Sequence, residues 1–236
     1  MKRKCIMIII IVCVLMIPFY FYQKVYSQSH ATPLKYRYVV IDPGHGGLDN
    51  GAMEYGYKED DINLSISKLL KSELEYYGAT VYLTRDGDYD MTKRNHHYSK
   101  QDDMYLRVKE IDKHQAHYLL SIHQNAANNS KAWGSQVFHY YRSEKGKTLA
   151  NKIDRHLKEV THSRKPISGC GFRVLRATQT VGVLIECGFM SNYNECGQLR
   201  NENYQRKLVE QIVKGLIEYD QEVTKKDKKQ SKKILE

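Results

Sequence analysis

Cysteine is sparse in this chain and unevenly placed. Five occur in 236 residues, and Cys5 and Cys13 fall in an apolar stretch at the N-terminus. The other three, Cys170, Cys187 and Cys196, are an odd number, which excludes a full disulfide framework, and a domain this size needs none. A single Cys170–Cys196 or Cys187–Cys196 bridge stays open. Cys187 beside Glu186 suggests a thiol nucleophile, but a small buried residue at a strand end accounts for it better. No internal repeat is visible. No basic-aromatic motif of a nucleic-acid reader appears either, although a net charge of +10 would suit a polyanion. That charge is concentrated at the two ends, in Lys2, Arg3 and Lys4 and in Lys225, Lys226, Lys228, Lys229, Lys232 and Lys233. Nucleic acid is therefore not expected as a partner.

What is present begins with Cys5 to Tyr22, a run without a charged side chain that follows three basic residues. This is the layout of an export signal with its basic end kept inside. Val25-Tyr26-Ser27 offers a small-residue cleavage site, and the run is also long enough for an uncleaved anchor, despite Pro18. Both outcomes place the rest of the chain outside the cytoplasm, with membrane contact only if the segment is retained. The expected organisation is a signal peptide or anchor over 1–22, a linker over 23–35, one catalytic domain over 36–221 and a Lys-rich disordered tail over 222–236. The tail has almost no apolar content before Ile234 and Leu235, so it is read as a solvated segment, with loose attraction to anionic polymers or headgroups as the functional alternative.

Between these ends strands alternate with helices. Tyr38-Val39-Val40-Ile41, Thr80-Val81-Tyr82-Leu83, Tyr118 to Ile122 and Val181 to Ile185 are short β-branched runs that read as buried strands, and Ser135 to Tyr140 alternates like an edge strand. Ile62, Ile66, Leu69, Leu70 and Leu74 share one helical face, with Asp60 or Asp61 as cap and Gly78 as the stop. Further helices are expected over Tyr105 to Gln115, Glu144 to Val160 and Asn203 to Tyr219. Asp86 to Met104 reads as a long polar loop. The fold class is α/β, a single domain with a central, mostly parallel twisted sheet flanked by helices.

The chemistry gathers where strands should end, as in other open α/β sheets. His45 follows the first strand in Asp42-Pro43-Gly44-His45-Gly46-Gly47, His123 follows the third in Ser121-Ile122-His123, and Glu186 follows the last. Glu59 stands just before the first helix. Two histidines and a carboxylate are a ligand set that Zn²⁺ accepts, with a fourth position left for a water whose pKa falls to roughly 7. His45, Glu59 and His123 are the expected zinc ligands. Taken alone, Glu59-Asp60-Asp61 would equally be a helix N-terminal charge cluster. Glu186, free of the metal, can take and return protons, and burying a carboxylate behind an apolar strand without purpose is costly.

Asp42-Pro43-Gly44-His45-Gly46-Gly47, Lys58-Glu59 followed by Asn63-Leu64, Leu83-Thr84-Arg85, Ser121-Ile122-His123, Asn125-Ala126 and Glu186-Cys187-Gly188-Phe189-Met190-Ser191-Asn192 together resemble the zinc-dependent N-acetylmuramoyl-L-alanine amidases of bacterial cell walls. The resemblance runs from about Tyr38 to about Tyr219. It implies hydrolysis of the amide between N-acetylmuramic acid and L-alanine in peptidoglycan, with Glu186 as the catalytic base of the Glu-x-Gly-Phe motif. Arg107-Val108 after Tyr105-Leu106, and Arg164-Lys165-Pro166-Ile167, look like the germination-specific (CwlD-type) branch, which acts on spore cortex and prepares muramic δ-lactam formation. No wall-binding repeat is visible, so targeting is expected to depend on the leader or on a partner such as a protein activator. The family's Pro-Ala-Val before the catalytic strand is Val181-Gly182-Val183 here, which leaves the four key residues untouched.

Other residues carry softer expectations. Arg85, Arg107 and Arg176 are candidates to meet substrate carboxylates, and Asn125 to tie down the loop after His123 or touch substrate. Asp42 either orients a liganding histidine or caps the Pro43-Gly44 turn. His96-His97 is read as loop, because adjacent residues rarely point at one ion, and His139, His156 and His162 as structural. A zinc peptidase cutting within the stem peptide and a catalytically silent wall-binding module are the competing readings.

Overall fold

Val39 and Ile41 face one way from the first strand and Val40 the other, and all three are fully buried, so this strand needs a cover on both faces. A computed structural model describes residues 16–17, 32–92, 98–162, 167–169 and 171–235. The chain divides after Pro33, and residues 34–236 form the larger unit, which holds the sheet and its helices. The leader apart from residues 16–17, most of the linker, His96-His97, Arg164 to Pro166 and Cys170 lie outside the described residues. Among the described residues no helix is long and apolar enough to cross a membrane.

The strands are β1 (Tyr38–Pro43), β2 (Met53–Glu54), β3 (Tyr57–Lys58), β4 (Thr80–Leu83), β5 (Tyr118–Asn125), β6 (Gln136–Tyr140), β7 (Ile167–Gly169) and β8 (Val181–Phe189). Six of them form one sheet in the order β4-β1-β5-β8-β6-β7, while β2 and β3 pair separately as a hairpin. The neighbours β4, β1, β5 and β8 run parallel, and the turn to antiparallel comes between β8 and β6. The sheet is thus mostly parallel. The strand expected at an edge, β6, is covered by β7, a three-residue strand too short to show a period.

The helices are α1 (Glu59–Tyr76), α2 (Lys100–Lys113), α3 (Glu144–Leu157), α4 (Arg173–Ala177), α5 (Tyr193–Leu199) and α6 (Glu202–Leu235). Val39, Ile41, Leu120, Ile122, Val183 and Ile185 pack in one cluster with Ile66 and Leu70 of α1, Leu149 and Ile153 of α3, and Leu208 and Ile212 of α6. Burying each such side chain contributes about 1.5–3 kcal/mol. Val40, Leu119 and Leu184 point to the other face and meet Ile111 of α2 and Val174 and Leu175 of α4. The result is three layers, with a large core on one face and a smaller one on the other.

Several boundaries differ from the sequence expectation. Helix α1 begins at Glu59, so Asp60 and Asp61 lie in its first turn; the N-cap is Lys58, without a side-chain cap bond. Gly78, with φ of 91°, does end it. Helix α2 starts at Lys100 rather than Tyr105, capped by Ser99 accepting from the Asp102 amide. The tail expected to be disordered continues α6 to Leu235. Lys, Glu and Gln have good intrinsic helix propensity, and the Glu222–Lys226 pair supports the turn.

Candidate metal centre and active site

The second face of the sheet carries the site. Along β5, Leu119, Ser121 and His123 share one face, and along β8 so do Leu184 and Glu186, with His123 paired to Glu186 in register. The lower positions are apolar and seal the core, and the upper ones are polar and open at the carboxyl ends of three parallel strands. His45 stands two residues past β1 with φ of 62°, and Glu59 opens α1 after the β2–β3 hairpin. A cavity of about 430 Å³ lies over this rim, lined among others by His45, Glu59, His123, Glu186, Lys100 and Arg173.

Donor atoms of His45, Glu59 and His123 lie within 4.8 Å of one another. His45 Nε2 is 3.2 Å from Glu59 Oε2, and His123 Nδ1 is 3.1 Å from Glu59 Oε1. Ligands about 2.0–2.1 Å from a tetrahedral zinc stand roughly 3.3 Å apart, so this spacing suits the ion. Further donors hold Glu59 in place. Its Oε1 accepts from Asn63 Nδ2 at 3.2 Å and the Gln124 amide at 3.0 Å, and its Oε2 from the Ala52 amide at 2.9 Å. Gln124 Nε2 in turn donates to Asn63 Oδ1 at 3.1 Å. Two glycines make the approach feasible. A Cβ on Gly44 would sit 2.2 Å from the His123 ring, and one on Gly51 would sit 2.4 Å from Glu59 Oε2.

The electrostatics follow from these contacts. Burial opposes a charge on His45, yet hydrogen bonds to Asp49 and Glu59 outweigh it and raise its pKa to about 9. Burial likewise opposes ionisation of Glu59, but His123 and His45 hold it well below the usual carboxylate range. Glu186 is the reverse case. Burial dominates, its Oε2 has no hydrogen-bond partner among the described residues, and its pKa is pushed up to about 7.

The softer expectations fare differently. The side-chain hydrogen bonds of Asp42 go neither to a liganding histidine nor to the Pro43-Gly44 turn. Its carboxylate accepts from Thr84 Oγ1 at 2.7 Å, Ser121 Oγ at 2.9 Å and Arg107 Nη1 at 2.8 Å. The residue that holds His45 is Asp49, whose Oδ2 lies 2.9 Å from Nδ1. Arg85 is 1 % exposed, and its guanidinium donates to the carbonyls of Pro43, Gly44, Asp60 and Gly87. That geometry braces the His45 loop and leaves no face for a substrate carboxylate. Arg107 is almost as buried, ion-paired to Asp42 and Asp103 and bonded to the carbonyls of Pro43 and His45. It touches the cavity wall but braces the same loop. Arg176 is exposed and outside the cavity lining.

Besides Arg107, two further cations line the cavity among the described residues, Lys100, paired with Asp49, and Arg173 at the start of α4. Neither was legible from motif position. Asn125 Nδ2 donates to Gln136 Oε1 at 2.7 Å beside the β5–β8 register shift, and the residue also lines the cavity. Cys187 and Cys196 are free buried thiols, which removes the Cys187–Cys196 bridge; Cys170 lies outside the described residues.

Residues 39–218 match the N-acetylmuramoyl-L-alanine amidase family Amidase_3. The chain belongs to this family. A germination-specific N-acetylmuramoyl-L-alanine amidase of Bacillus subtilis (strain 168) is 34% identical over 194 residues, covering 79% of this chain and 81% of that protein. The CwlD amidase from Clostridioides difficile, solved in complex with the GerS lipoprotein, superposes with a TM-score of 0.74 at 34% identity, covering 78% of this chain and 98% of that one. A second N-acetylmuramoyl-L-alanine amidase, from Clostridium difficile 630, gives a TM-score of 0.68 at 30% identity, covering 78% and 96%. The chain is accordingly a cell-wall N-acetylmuramoyl-L-alanine amidase, and a germination-specific amidase is among its relatives.

Proposed function

We propose that the chain is a zinc-dependent hydrolase acting outside the cytoplasm on the amide between the lactyl group of N-acetylmuramic acid and L-alanine, in spore cortex peptidoglycan, as a step towards muramic δ-lactam. The observation that carries this reading is the convergence of His45, Glu59 and His123 donor atoms within 4.8 Å, with Glu186 beside His123 on the next strand. The cortex assignment rests on likeness to the germination-specific relative, and the neighbour's complex with a lipoprotein supports a protein activator here. Export through the N-terminal segment agrees with a wall substrate.

His45 Nε2, Glu59 and His123 Nδ1 would hold the ion. When bound, zinc supplies Lewis acidity at the amide carbonyl and lowers the pKa of water at the open position. Glu186 accepts the proton from the attacking water and returns it to the departing L-alanine nitrogen, so that the C–N bond breaks to a lactyl carboxylate and a free amine. Burial pushes its pKa up, which favours holding the proton until it is returned to the leaving nitrogen. Asp49 fixes the His45 ring and Asn63 and Gln124 fix Glu59, which keeps the ligands in position.

The test is metal dependence on muramyl peptide. About one zinc per chain, activity lost on chelation and restored by zinc, and both zinc and activity lost in His123→Ala are expected. Full activity in protein stripped of metal, or in His123→Ala, would contradict the proposal.

A further inference from the structure

A second group of carboxylates converges on one point beside the metal centre. Asp60 and Asp61 follow Glu59 in the first turn of α1, and Asp88 comes from the segment after β4. One oxygen of each lies within 4.8 Å of the other two. Acidic residues in a first helical turn are ordinary, since they complement the helix dipole. Asp60 is not ordinary. It is 1 % exposed, and among the described residues no N–H or hydroxyl donor meets either carboxylate oxygen, the Asp88 carboxylate being the neighbour close enough to share a proton with it. A carboxylate buried in this way is costly unless something positive meets it.

Arg85 attracts the Asp60 carboxylate but makes no hydrogen bond to it. Arg85 Nη2 donates to the main-chain carbonyl of Asp60 at 2.8 Å and to that of Gly44 at 2.9 Å. Its Nε and Nη1 go to the carbonyls of Pro43 and Gly87. Asp88 Oδ1 accepts from the Gly47 amide at 2.8 Å, and its other oxygen is not used in that bond. Asp61 and Asp88 are exposed, while Asp60 forms the floor.

We propose that Asp60, Asp61 and Asp88 form a binding site for a hard divalent cation, Ca²⁺ in preference to Mg²⁺ or Zn²⁺. All three donors are carboxylates, with no nitrogen or sulfur, which disfavours zinc. Two of the three are exposed, so water completes an irregular shell of the kind Ca²⁺ accepts and the more demanding octahedron of Mg²⁺ does not. With three carboxylates on two separate segments, the dissociation constant is expected on the order of 10⁻⁴–10⁻³ M.

The site ties together the two segments that carry the zinc ligands. Asp60 is the residue after Glu59, and Asp88 holds the Gly47 amide two residues after His45. A cation here fixes the helix start against the His45 loop.

The experiment uses the full-length, zinc-loaded protein, so that Ca²⁺ does not report on the histidine centre. Calorimetric titration with CaCl₂ is expected to show about one Ca²⁺ per chain, with a melting temperature that rises above a NaCl control of equal ionic strength. Asp88→Asn keeps an acceptor for Gly47 and Asp61→Asn is exposed, so both variants should fold. Each should weaken Ca²⁺ binding about tenfold or more. No heat and no rise in melting temperature up to about 10 mM Ca²⁺ would overturn the proposal and leave Asp60 sharing a proton with Asp88. Binding that is unchanged in both variants would place the ion elsewhere and overturn it equally. The outcome is independent of the amidase reading, since it measures binding and not turnover.

Discussion

Glu186 has two requirements that pull against each other. As a base it must be ionised, yet burial behind β8 raises its pKa from 4.5 to about 7 in the metal-free protein. The charge of a bound zinc lowers that value, so the acid limb of the kcat/KM profile should fall between about 4.5 and 7, with activity present above the limb and lost below it. Glu186→Gln should abolish the limb and reduce kcat by roughly 10²–10⁴-fold. For stability the sign is opposite. A carboxyl whose folded pKa is raised contributes most below its unfolded pKa, and the contribution is lost as pH rises through about 7. Metal-free Glu186→Gln should therefore melt higher than metal-free wild type at pH 8. An unchanged acid limb in the variant would contradict this account. The four principal residues of the site were legible because each sits in a motif at a strand or helix boundary. Asp49, Lys100 and Arg173 were not, since Lys100 pairs with Asp49 across 51 residues and loop geometry alone sets that contact.

At the scale of elements, the buried Asp42–Arg107–Asp103 cluster fastens α2 to β1 and the His45 loop. Burial disfavours the Arg107 charge, but the two carboxylates outweigh it and raise its pKa. Arg107→Met leaves both carboxylates buried without their cation, which should cost on the order of 3–5 kcal/mol in urea unfolding. A loss under about 1 kcal/mol would show that the cluster is not a brace. The periodic elements were readable from sequence: the strand runs ending at Ile41 and Ile185, and the Ile62-Ile66-Leu70-Leu74 stripe. The misreadings have physical causes. Three-residue β7 has too few positions for a period. The polar first turn of α2 hid the start of a helix expected only from Tyr105, although Ser99 stands in the sequence where its cap is needed. The exposed end of α6 has no apolar face to signal it, because intrinsic propensity and charge pairs hold it.

For the molecule as a whole, α6 divides into a part that builds the core and a part that does not. Leu208, Ile212 and Leu216 are fully buried, and Asp220 and Thr224 bind Arg37. From Lys225 to Lys233 every residue is exposed. Ending the chain after Thr224 should therefore change unfolding free energy by no more than about 0.5 kcal/mol, as measured by chemical denaturation. A larger loss would mean the Lys-rich end packs against the domain. The family match ends at residue 218, before the Lys-rich end begins.

The central claim is the bond that is cut. Mass spectrometry of purified cortex peptidoglycan digested by the full-length zinc-loaded protein, beside Glu186→Ala, tests it directly. The account predicts intact stem peptides with a free L-alanine amine, matched by unsubstituted muramic acid lactyl carboxylates, and neither product from the variant. Cuts inside the stem peptide, or equal release by Glu186→Ala, would contradict it.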